Sequence, residues 1–138
     1  MTTNIELLEY GKILNISDLK VVMKDELKNI ISSFKFPINI IMNLNDSDKN
    51  INGHWVLIFV NDTNKIFYSS FGDMIPNEAK DYMWRIDDRE ILTSDIQIQE
   101  FNETICGELS IIILYLLNHS KLKFEDIILE FQESAVKL

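Results

Sequence analysis

Apolar residues come in short runs separated by polar breaks, and their spacing changes along the chain. From His54 to Val60 the residues Val56, Leu57, Ile58 and Phe59 stand in series, which predicts a strand. Asn61-Asp62-Thr63-Asn64 predicts a turn, and Lys65 to Ser70 predicts the return strand of a hairpin. Phe36 to Leu44, with Ile38, Ile40, Ile41 and Met42, predicts a further buried strand. The polar loop Asn45 to Asn50 follows it, rich in side chains that bond their own backbone. Elsewhere the spacing is helical. Asn4 to Ile13 carries a weak pattern on Ile5, Leu8 and Ile13, and Asp25 to Ile31 predicts a second short helix. Pro76-Asn77-Glu78 opens a helix that runs to about Ile86. Asn102-Glu103-Thr104 supplies capping residues for a helix from Cys106 to about His119. Lys123 to Gln132 predicts a last helix, with Phe124, Ile127, Ile128 and Phe131 on one stripe. Two segments read both ways. Asn15 to Asp18 looks like a turn with a helix N-cap, although Val21-Val22-Met23 reads equally as extended. Gln97-Ile98-Gln99 is a short strand or an extended loop.

Strands and helices mix without a regular βαβ alternation, which predicts an α+β fold with helices packed on a small mixed sheet. Apolar residues cover most of the circumference of the Cys106 helix, so it is expected to be central and buried. At 138 residues the chain is expected to form a single domain over 1–138. Four glycines and two prolines leave little room for flexible linkers, and no internal repeat is present.

Charge and composition then narrow the function classes. A formal net charge of −9 weighs against a nucleic-acid partner, whose binding rests on basic side chains. Met1-Thr2-Thr3-Asn4 does not read as a signal peptide. The longest apolar run, Ile111 to Leu117, is far short of the roughly 20 residues that span a bilayer, so no membrane partner is expected. The single cysteine excludes an internal disulfide and suits a reducing intracellular compartment.

That cysteine is the first candidate for chemistry. Cys106 falls at the start of a hydrophobic helix, where unpaired N–H groups and the helix dipole favour a thiolate. Gly107 follows it, and a residue without a Cβ lets a substrate carbonyl approach the backbone. The plainer reading of Cys106 is a small buried hydrophobe. Of the two histidines, His119 ends the same helix, where a cation suits the dipole. His54 has no such role and is the candidate general base, or else a structural histidine. Gln99 offers an amide that can donate to an oxyanion, or else is a solvated loop residue. Trp55 either walls the site or belongs to the core.

In combination these residues resemble a known group. Gly53-His54-Trp55, Tyr68-Ser69-Ser70-Phe71-Gly72, Gln99 and Cys106-Gly107, in that order, resemble the adenovirus-type (adenain-like) cysteine endopeptidases, with relatives in virophages and Maverick/Polinton elements. Met23-Lys24-Asp25-Glu26-Leu27, Ile41-Met42-Asn43-Leu44 and Gly53-His54-Trp55-Val56 look like the pattern of the smaller viral members. The likeness covers roughly residues 16–119, and the seven residues from Gln99 to Cys106 match the family spacing. It implies His54 as catalytic histidine, Cys106 as nucleophile and Gln99 as oxyanion-hole glutamine, with Gly53, Trp55 and Gly107 at the substrate site. It also implies the nucleophile at the N-terminus of the central helix, as in adenain and ubiquitin-like-protein proteases. Ser69 takes the place where the family usually has Asp, Glu or Asn. Three readings of that departure follow: Ser69 orients His54 itself or through water, Asp73 reaches the imidazole instead, or the enzyme is weak or inactive.

The resemblance further implies a maturation protease, working in host cytoplasm, virus factory and virion, that cuts capsid precursors at small-residue, glycine-containing sites. The DNA and disulfide-linked peptide that stimulate adenovirus enzymes are not implied, because the chain is acidic and has no second thiol. No cofactor, no metal and a monomer are expected. Two rival readings stand beside it: a SUMO- or ubiquitin-like-protein protease, and a non-catalytic binding module on a protease fold.

Overall fold

The computed structural model describes residues 2–30, 35–47, 53–99 and 105–137, as backbone alone from 133 onward. Its frame is a four-stranded mixed sheet in the order β1 (Lys20–Met23), β2 (Ile38–Asn43), β3 (Trp55–Val60) and β4 (Lys65–Tyr68). β1 runs parallel to β2, and β2–β3 and β3–β4 pair antiparallel. Helices α1 (Asn4–Ile13), α2 (Asn77–Ile86), α3 (Cys106–His119) and α4 (Phe124–Lys137) pack on it. The protein is therefore α+β, as its mixed pattern predicts.

Strand alternation divides the core in two. Ile41, Trp55, Leu57, Phe59, Ile66 and Tyr68 face one side, where α1, α3 and α4 cover them. Ile40, Met42, Val56, Ile58, Val60 and Phe67 face the other, under Leu27 and the α2 residues Ala79, Tyr82 and Met83. Cover on both faces is why these strands read as unbroken apolar runs rather than as alternation.

Several local expectations resolve physically. Asn15 to Asp18 does not start a helix; it ends α1. Asn15 sits at φ 55°, with its N–H on Lys12 O and the Ile16 N–H on Gly11 O, a left-handed cap for which asparagine is suited. β1 follows, so the extended reading of Val21–Met23 holds. The helix expected from Asp25 is a 3-10 helix at Lys24–Asn29. Gln97 to Gln99 is an extended loop held by the Ile98 N–H on Ser70 O, 2.9 Å. The capping residues Asn102, Glu103 and Thr104, and the end of the 45–50 loop, lie outside the described residues.

α3 corrects one expectation. It is not buried all round. Ile111, Ile113 and Leu114 pack inward, but Ile112 and Tyr115 are 41% and 39% exposed. The helix lies on the sheet with α1 and α4 beside it, and its outer side meets solvent.

Candidate active site

The β3–β4 hairpin places the first two residues. Leu57 pairs with Tyr68, so His54 just before β3 and Ser69 just after β4 emerge at the same sheet end. There the His54 Nε2 and Ser69 Oγ are 2.9 Å apart. α3 begins at the same end: the Trp55 N–H donates to Cys106 Sγ at 3.4 Å. The thiol therefore stands against the peptide that joins His54 to Trp55. Cys106 is the first residue of α3, follows the cap residue Ile105, and is 3% exposed.

The hydrogen bonds around Ser69 have a fixed direction. Its hydroxyl donates to Asp73 Oδ2 at 2.7 Å and accepts the Phe71 N–H at 3.2 Å. A hydroxyl has one proton and two lone pairs. With the proton on Asp73, the Ser69 oxygen meets His54 as an acceptor, so Nε2 carries the ring proton. Nδ1 is then the basic nitrogen, and it is buried with no hydrogen-bond partner among the described residues. No hydrogen bond therefore joins ring and thiol in this arrangement. The Phe71 ring stacks on the imidazole at 4.1 Å between centroids and 12° between planes. Burial pushes the His54 pKa below its usual value, and the Asp73 charge opposes that shift only in part.

Gln99 is 2% exposed, and its Oε1 accepts from the Ser70 hydroxyl. That contact makes Nε2 the donor end of the amide for any further partner. Ser69 serves His54 while Ser70, the next residue in the turn, serves Gln99. The structure thus gathers His54, Ser69 and Asp73 into one network, sets Cys106 beside it, and ties Gln99 to the adjoining serine.

The structure gives packing roles to three residues expected at the substrate site. The Trp55 side chain is 5% exposed, and its indole N–H donates to Thr2 O at 3.1 Å. It belongs to the core; only its main-chain N–H reaches the site. A Cβ on Gly107 would lie 3.1 Å from Thr2 Cβ and 3.2 Å from Trp55 Cδ1, so the residue before the α1 cap and the indole pack tightly against that glycine. A Cβ on Gly53 would strike the side chains of Asn43 and Asn45. Both glycines stand where neighbouring side chains pack closely. Ser70 and Phe71 carry roles that sequence reasoning assigned to neither; the paired serines at a strand end were the available signal.

Among the described residues no group of three His, Cys, Asp or Glu side chains is placed to hold a metal ion, and no helix is long and apolar enough to cross a membrane. No family model matches the chain, and no curated protein matches it.

Proposed function

We propose that the protein is a cysteine peptidase that cuts polypeptides through a Cys106 thioester, with His54 as its base. The observation that carries this reading is the imidazole held through Nε2 at Ser69, with Nδ1 buried beside the residue whose N–H touches the thiol. In the proposed mechanism Nδ1 takes the Sγ proton and the thiolate attacks a peptide carbonyl. The Gln99 amide and the Cys106 N–H, at the open first turn of α3, stabilise the oxyanion. The imidazolium returns its proton to the departing amine, and water then hydrolyses the thioester. Closure of the thiol–imidazole gap belongs to the substrate complex, since catalytic hydrogen bonds often tighten only there.

The resemblance to adenain-like enzymes supports capsid-type precursors with glycine at the cut as substrates. A second reading, a binding module on the same fold, is favoured by the 3% exposure of Cys106 and the lone Nδ1. One experiment separates them. Glycine-rich peptide libraries and a ubiquitin-like fusion are incubated with wild type and Cys106→Ala, and fragments are read by mass spectrometry. Cleavage by wild type alone supports the peptidase. Equal rates for the two chains overturn it, and cleavage of the fusion alone moves the substrate class to ubiquitin-like proteins.

A further inference from the structure

We infer that Asp73 is the acid of this site and acts on His54 through the Ser69 hydroxyl, as a positioning residue that sets the imidazole tautomer. The inference deepens the peptidase reading and rests on it for its consequence, although the relay itself is a matter of geometry. Serine in place of an acid at position 69 looks like a loss of charge. The charge has moved four residues along the chain.

Asp73 does not bond the ring directly. Its Oδ2 lies 3.8 Å from His54 Nε2, beyond hydrogen-bond reach, but 2.7 Å from Ser69 Oγ. A carboxylate accepts and cannot donate, so it captures the hydroxyl proton. The Phe71 N–H occupies one lone pair of the same oxygen. One lone pair remains, and the imidazole N–H fills it. Every bond at Ser69 is thereby oriented by Asp73. Without the carboxylate the hydroxyl could turn and donate to Nε2, which would move the ring proton to Nδ1 and abolish the base.

The loop is built to hold this register. The Gly72 N–H closes a tight turn on Ser69 O at 2.8 Å. Gly72 has φ +76°, and a Cβ there would strike the Asp95 carbonyl. Only glycine passes that point without strain. The turn brings Asp73 back over Ser69 while setting the Phe71 ring flat on the imidazole. No proton has to travel along the relay. The carboxylate polarises the Ser69 hydroxyl, which then accepts more strongly when the ring becomes imidazolium.

The test reads the tautomer first, which needs no turnover. In the full chain carrying Cys106→Ala, the nitrogen-15 shifts of His54 are recorded above its titration, with His119 as internal control. The Nε2–H form is expected, and Asp73→Ala or Ser69→Ala shifts population to Nδ1–H while His119 stays unchanged. An unchanged His54 tautomer in both variants overturns the relay. Kinetics on chains with Cys106 intact give the second readout. Asp73→Ala should lower kcat/KM by on the order of 10²-fold, less than the roughly 10⁴-fold loss when a Ser–His–acid triad loses its charge. Adding Ser69→Asp to Asp73→Ala should restore most of it by placing a carboxylate directly at Nε2. Failure of that rescue, with the double variant folded, counts against the relay. If wild type turns over no peptide, the peptidase reading falls while the tautomer still decides the relay.

Discussion

Ser69 faces an imidazole, donates to a carboxylate and is fully buried, so one hydroxyl sets the tautomer of its neighbour. The pair His54 and Cys106 was legible in the sequence through order and spacing. The link from Ser69 to Asp73 was not, because a four-residue separation meets side to side only if the backbone turns at Gly72, and no composition rule says that it does. The packing at Gly53 and Gly107 was not legible either: sequence does not show that Asn43 and Thr2 come close to them. The depressed His54 pKa has a measurable sign. In the unfolded chain the ring takes a proton near 6.5, while the folded ring resists it. Stability therefore falls as pH drops below about 6.5 and stops falling once the folded ring titrates. Urea midpoints at pH 7.5 and 5.5 should show a larger drop for wild type than for His54→Gln. Equal drops would mean that the imidazole is not penalised by burial.

The elements carry their own logic. Asn61 closes the β3–β4 turn by accepting the N–H groups of Thr63 and Asn64 with its side chain, as its type and place imply. Thr3 and Glu6 form a capping box at α1 that the weak apolar pattern there did not reveal. Lys65 was the hardest to read. It begins β4 with its side chain fully buried, and its ammonium donates to Met83 O, Asp87 O and Asp87 Oδ1 while lying over the Trp84 ring. Nothing in a strand beginning with lysine tells that the ammonium caps the end of α2. Lys65→Met keeps the stem and strands those acceptors. It should cost about 3 kcal/mol, roughly a 10 °C fall in Tm for a chain of this size. Calorimetry showing a fall of less than a few degrees would mean that the cap is dispensable.

For the whole molecule, the α+β class followed from the mixed pattern, but the three layers did not. Periodicity tells that a strand is apolar, not which helices cover each face. α4 shows the difference. Its stripe was legible, and the structure sets Phe124, Ile127 and Ile128 in the same core as Cys106 and Trp55, with Phe124 edge-on to Tyr68 at 5.7 Å. The segment after His119 is thus part of the layer that supports α3. Ile127→Ala should cost about 3 kcal/mol through the cavity it leaves. Any peptide turnover at low temperature should survive it, because no hydrogen bond of the His54–Ser69–Asp73 network involves α4. A folded variant with unchanged urea midpoint would show that α4 is only loosely attached.

The hairpin also sets a schedule. His54 and Ser69 meet across a 15-residue separation, whereas Cys106 reaches Trp55 across 51. Short closures form faster and earlier than long ones. On the ribosome Cys106 follows Ser69 by 37 residues, roughly 2–7 s of synthesis at about 5–20 residues per second. The sulfur is thus the last of the three side chains to be made, and the longest closure of the site is the one that α3 supplies.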